Sequence, residues 1–119
     1  MYIKPLLIVA AAFFAQALYS QTSGITGTWV LSVKTTQGSG KPVFVLKQEN
    51  DTLITGSYSG QFGEAPVKGK IKGNSFEFGY TIRDITVTYI GTYSKNKMEG
   101  KSIYGTIGEG NFTGKKKKN

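Results

Sequence analysis

The sequence predicts an all-β fold, an eight-stranded antiparallel up-and-down barrel, and three observations carry that reading. Beyond residue 25 apolar and polar residues alternate with a period of two, broken by Gly, Asn, Asp and Ser, and no stretch sustains a 3.6-residue period. The links between alternating segments are short, which favours antiparallel neighbours. The chain of 119 residues has no cysteine, so a small domain cannot be stapled by disulfides, whereas closing a sheet on itself removes its exposed edges. An open meander of the same strands is the alternative, and it leaves two edges to protect.

Residues 1–20, MYIKPLLIVAAAFFAQALYS, read as an export signal. Lys4 supplies a short basic start, residues 6–14 an apolar centre, and Ala15-Gln16-Ala17 a small-x-small pattern, with cleavage before Leu18 or before Gln21. The apolar run is too short for the roughly 20 residues that cross a bilayer. The organisation expected is therefore a signal at 1–20, one barrel domain at 21–114 and a basic tail at 115–119, with the product secreted or periplasmic. A mature chain of roughly 100 residues is one small domain.

The first strand, 26–35, puts Trp29, Leu31 and Val33 on one face and Thr28, Ser32 and Lys34 on the other. A Gly-Ser-Gly loop at 38–40 leads to a strand at 41–49 with Phe44 and Leu46 inward; Val43 and Val45 make its second face apolar, so it is expected to be covered on both sides. Asn50 and Asp51 turn the chain into 52–59, and a break from Gly60 to Glu64 precedes 65–72, where Val67, Gly69 and Ile71 face away from Lys68, Lys70 and Lys72. Gly73 and Asn74 turn into 75–82, whose Phe76, Phe78, Tyr80 and Ile82 form the clearest inward stripe. Arg83 and Asp84 then separate it from 85–95, with Val87, Tyr89 and Tyr93 on one face and Gly91 relieving crowding or permitting a bend. A turn at Asn96 and Lys97 opens 97–104, and after a break near Gly108 the last strand, 109–115, contributes Phe112. Eight strands suit a barrel filled by its own side chains or holding one small ligand.

The segments GITGTWVLSVKT and DTLITGSYSGQFGEAPVKGKIKGNSFEF resemble small lipocalin-like domains of exported bacterial proteins, over residues 24–116. The ITGTW opening and LITGSY are also similar to the avidin and streptavidin family over about two strands. Both resemblances imply eight antiparallel strands around an internal cavity. The lipocalin-like one implies a small, mostly apolar ligand. The avidin-like one implies biotin held by several stacking tryptophans, and this chain departs from it in having a single tryptophan, Trp29.

Seven Tyr and seven Phe supply the candidate ligand-binding interior: Trp29, Phe44, Tyr58, Phe78, Tyr80, Tyr89, Tyr93 and Tyr104. Rings offer apolar contact and tyrosine hydroxyls offer orienting polar contacts. Large rings are equally the simplest filling for a barrel, so a packed lumen stands beside the cavity. The formal charge of +8, from 15 basic and seven acidic residues, suggests a second surface. Lys68, Lys70 and Lys72 form an outward stripe, and Lys115, Lys116, Lys117 and Lys118 a tail that could attract an envelope protein or an anionic surface. Export and the absence of interleaved aromatics argue against nucleic acid, and Val43, Val45 and Ile90 leave oligomerisation open.

With no histidine and no cysteine, zinc fingers, thiolate nucleophiles, Ser-His-Asp triads and cysteine-ligated clusters are excluded. The acidic residues fall in turns or on outer faces; Glu77 and Glu99 would matter only inside a cleft. The sequence thus predicts no enzyme, no cofactor and no metal. Its expected function is binding a small apolar or amphipathic ligand inside an exported barrel, with a packed interaction barrel as the alternative.

Overall fold

The computed structural model describes residues 24–118. The export signal expected at 1–20, with its two cleavage positions, lies outside the described residues. Nine strands follow: β1 (Gly27–Thr35), β2 (Gly38–Gly40), β3 (Val43–Gln48), β4 (Leu53–Gly60), β5 (Gly63–Lys72), β6 (Ser75–Ile82), β7 (Ile85–Ser94), β8 (Lys97–Tyr104) and β9 (Gly108–Lys116). All neighbours pair antiparallel in the order β2-β1-β3-β4-β5-β6-β7-β8-β9, and β9 returns to β1. That closing ladder runs from Trp29↔Lys116 to Thr35↔Gly110. The eight long strands therefore make a closed antiparallel barrel, and the open meander is excluded.

The short strand β2 corrects the Gly-Ser-Gly loop expected at 38–40. Gly38, at φ 139°, reverses the chain after β1, and Thr35 Oγ1 both accepts from the Gln37 amide and donates to the Gly38 carbonyl, each at 3.0 Å. The chain then runs back along β1 at Val33↔Gly40, whereas β3 takes the earlier stretch from Gly27 to Val30. Pro42, which has no amide hydrogen, marks the interruption, yet its carbonyl still accepts from Leu31 at 3.0 Å. The segment 38–48 thus runs along β1 as two pieces interrupted at Lys41 and Pro42, and the strand expected at 41–49 is the second of them, β3.

Other boundaries shift by small steps. The turn after β4 is residues 61–62 alone, because Gly60 and Gly63 already pair with each other. The turn after β7 is Lys95 and Asn96, since Ser94 pairs with Lys97. Register explains the latter shift: Tyr93 and Met98 must share the inward face, and a slip of one residue would expose both. β9 continues through Lys116, and the Lys117 amide donates to the Thr28 carbonyl at 2.7 Å. The expected tail from Lys115 therefore begins with two residues of barrel wall, because the pairing with β1 carries the strand onward. The outer face of β3 is bare, with Val45 48% exposed; nothing among the described residues covers it as the sequence suggested.

Predicted inward residues fill one continuous core: Trp29, Leu31, Phe44, Leu46, Val67, Phe76, Phe78, Val87, Tyr89 and Phe112 are all buried, and Ile54 and Met98 are buried with them. Two glycines let the wall curve around this content. Gly91 and Gly100 face each other across β7 and β8, and a Cβ on either would stand 2.0 Å from a carbonyl oxygen of the neighbouring strand, Glu99 or Ile90. Side chains there would force the backbones apart, so the close approach needs glycine on both strands. Of the two roles the sequence left open for Gly91, the close approach to Glu99 is relief of crowding.

Candidate functional site

The two ends of the barrel are finished differently. At one end the chain enters through Ile25, which is fully buried as a plug, and its carbonyl accepts a 2.8 Å hydrogen bond from Trp29 Nε1. Lys116 adds a clasp: its ammonium donates to the Gly24 carbonyl at 2.6 Å and lies 5.4 Å from the centre of the Trp29 ring. Burial lowers the Lys116 pKa. Leu46, Ile54, Ile71, Phe76 and Met98 complete this closed end.

Across the middle runs a belt of rings. Phe44 lies 5.0 Å from Tyr89 and 5.2 Å from Phe78, both edge-on, and Phe112 lies 5.2 Å from Tyr89. Edge-to-face contacts at this spacing are the favoured geometry for packed rings. The belt is a floor with the core behind it.

Above the floor the interior opens into a chamber of about 570 Å³. Tyr58, Tyr80, Tyr89 and Tyr104 line it together with Val33, Ile82 and Val87, and the loops at 36–42, Gln61, Phe62, Arg83, Ile107 and Glu109 surround its mouth. Tyr58 and Tyr80 stack at 3.8 Å with their planes 12° apart, and the Tyr58 hydroxyl accepts a long 3.4 Å contact from the Phe62 amide. The size is within the range that accepts a small organic molecule.

The tyrosine hydroxyls form one electrostatic group. Burial, followed by the Tyr58 hydroxyl beside it, drives the Tyr80 pKa far above the usual phenol range. Burial, followed by the charge of Tyr104 and of Tyr80, does the same to Tyr89. Each phenol is harder to ionise because an anion there would be desolvated among its neighbours. At neutral pH Tyr80 and Tyr89 therefore present hydroxyls to the chamber, and neither serves as a general base.

Of the eight interior candidates, the structure brings Tyr58, Tyr80, Tyr89 and Tyr104 to the chamber. Trp29, Phe44 and Phe78 are buried in the core that supports it, and Tyr93 lies toward the closed end, its hydroxyl near Gly24. Those four are not on the chamber wall. The sequence shows which face a ring takes but not at which height a closed end will seal it. Phe62, Arg83 and Ile107 were missed, because they sit in turns where the period of two stops. The usable signal was the exposure of large apolar residues in turn segments: Phe62 is 45% and Ile107 57% exposed.

The basic candidates are scattered over the outside. Lys68, Lys70 and Lys72 point outward from β5, with Lys70 opposite Glu77 on β6. Lys115 faces Lys97 across β8 and β9, an unfavourable like-charge pair; Lys117 and Lys118 follow, exposed. Glu77 and Glu99 are also exposed on the outer wall; Glu77 lines a shallow outer depression with Lys68, Lys70, Thr86 and Thr88, and no second carboxylate shares it. Among the described residues no group of three His, Cys, Asp or Glu could hold a metal ion.

Comparison with known proteins adds the fold alone. No protein-family model and no curated protein matches the sequence. Among solved structures, the chain is similar to a de novo designed fluorescence-activating β-barrel, at 16% identity and a TM-score of 0.58 over 78% of this chain and 94% of that one. It is similar to a structure described as EF1p2_mFAP2b bound to DFHBI, at 13% identity and a TM-score of 0.59 over 82% and 96%. A redesigned β-barrel, mFAP1, also bound to DFHBI, aligns at 14% identity and a TM-score of 0.54 over 77% and 94%.

Proposed function

We propose that this chain is an exported, non-enzymatic, lipocalin-like up-and-down barrel that binds a small apolar or amphipathic molecule in the open half of its interior. The observation that carries the reading is the chamber: one end of the lumen is packed to the axis, while the other leaves about 570 Å³ lined by four tyrosines. A barrel needing only stability would extend the plug and the ring belt through both ends, because empty apolar space forfeits contacts. Two of the similar solved barrels are described as bound to DFHBI, which supports a wall of this kind enclosing a ligand. The secreted or periplasmic placement rests on the pattern of residues 1–20.

Filling the chamber tests this. An environment-sensitive hydrophobic dye should bind the full chain, and Val33→Phe with Val87→Phe should abolish binding while the far-ultraviolet dichroism of the barrel persists. Native mass spectrometry of freshly purified protein should show a bound small molecule that the double variant lacks. Dye affinity unchanged by the filling would remove the internal site and favour the rival reading. In that reading a packed barrel contacts an envelope component through its outer face or through Lys115, Lys117 and Lys118.

A further inference from the structure

The inner and outer zones of the chamber differ in chemistry. The rim is apolar at three separate places, where Phe62 and Ile107 in turns and Ile85 at the start of β7 are each at least 39% exposed, with Lys41 and Arg83 also at the mouth. The inner wall holds the phenols. Tyr58, Tyr80, Tyr89 and Tyr104 all line it, with the Tyr58 and Tyr80 rings stacked at 3.8 Å, so four phenols share one wall, each with one hydrogen to donate and an oxygen that can accept.

A second observation, at the level of Tyr89, concerns a different side chain. Ser102 is fully buried on β8, and among the described residues its Oγ has no hydrogen-bond partner. It pairs with Tyr89 on one side and with Gly110 on the other, two residues deeper than Tyr104 on the same face. A buried hydroxyl left without a partner is costly, and buried polar atoms in folded proteins almost always have one. Beside the four phenols that line the chamber, the wall thus also buries a hydroxyl on the strand next to Tyr89.

We infer that the ligand is an apolar ring compound carrying a hydrogen-bond-accepting oxygen, and that it enters oxygen first, the oxygen meeting the hydroxyls of Tyr89 and Tyr104 while its apolar body fills the space up to Phe62 and Ile107. This rests on the chamber being the ligand site. A phenol hydroxyl on the inner wall can donate a hydrogen bond to such an oxygen in a space otherwise lined by apolar side chains. The opposite orientation would place the oxygen at Lys41 and Arg83, in contact with water, where a hydrogen bond adds least because the free ligand already has one.

A matched pair of probes separates these arrangements: 2-acetylnaphthalene, which carries a ketone oxygen, and 2-ethylnaphthalene, nearly the same shape without it. Calorimetric or fluorescence titration of the full chain should give the ketone about tenfold tighter binding. In Tyr89→Phe/Tyr104→Phe the ratio should fall to near one, with hydrocarbon affinity retained as proof that barrel and chamber persist. Equal affinities in the unaltered protein would overturn the oxygen-first inference and leave the chamber reading standing. A preference that survives the tyrosine double variant, or that vanishes in Lys41→Gln/Arg83→Gln, would overturn it by placing the oxygen at the rim. Binding of neither probe would remove the chamber reading and this inference together.

Discussion

The two ends of this barrel are made from the same eight strands and the same alternating pattern, yet one is sealed and the other is hollow. At the sealed end, Ile25 enters the lumen before β1 begins, Trp29 bonds to its carbonyl, and Lys116 ties the entering chain to the last strand. At the hollow end, four turns surround the mouth and no segment among the described residues crosses it; the inward residues become tyrosines. The difference teaches that the strand pattern builds the wall, while the segments beyond the strands decide whether the space inside is core or site.

The contrast can be broken first by mutating each end. Trp29→Ala removes a fully buried ring and orphans the Ile25 carbonyl; it should cost about 3–5 kcal/mol in denaturant unfolding. Tyr104→Phe at the open end should cost less than about 1 kcal/mol. Similar losses would mean that both ends are core. A second contrast lies in glycine. In Gly100→Ala the new carbon meets the Ile90 oxygen at 2.0 Å, predicting a loss of about 1–3 kcal/mol. Gly108, at the mouth, has nothing within 4 Å, so Gly108→Ala should stay within about 0.5 kcal/mol in the same assay.

The clasp is a smaller term. Lys116→Met retains much of the stem but loses the bond to Gly24 and the charge over Trp29, for an expected loss of about 1 kcal/mol. Its partner effect on probe binding at the open end should be absent. The smallest effect at neutral pH comes from the buried phenols. Tyr80 and Tyr89 have folded pKa values above the unfolded value of about 10. Their contribution is complete below that pH and is lost as pH rises from there toward the folded values. Lys116, shifted downward, has the opposite sign, and its deprotonation favours the folded chain as pH climbs through the amine range. Unfolding followed from pH 8 to 12 should thus show an alkaline decline that Tyr80→Phe/Tyr89→Phe flattens; a decline of unchanged slope would contradict the placement of those hydroxyls.

The wall was readable because a strand's period of two assigns each side chain a face wherever one face is buried. Phe76, Phe78 and Tyr80 are inward on that ground alone, and Lys68, Lys70 and Lys72 outward. Position along the axis was not readable. Tyr93 and Tyr104 have equivalent patterns, but one falls at the sealed end and the other in the chamber, a difference set by which turns lie at which end. Pro42 splitting a strand, and Lys116 belonging to the wall, depend on ladders between segments far apart in sequence. Ser102 carried no signal at all, since a single serine in a strand is ordinary until its surroundings are known to be dry.

The central claim is that the hollow end, and not the basic exterior, is where this protein meets its ligand. An amide chemical-shift map during titration with 2-naphthoate tests it directly, because that probe is both apolar and anionic and could choose either surface. The account predicts perturbations gathered at residues 35–41, Gln61, Phe62, Arg83, Val87, Tyr104 and Glu109. Perturbations gathered instead at Lys95, Lys97, Lys115 and Lys117, with the mouth unchanged, would contradict it.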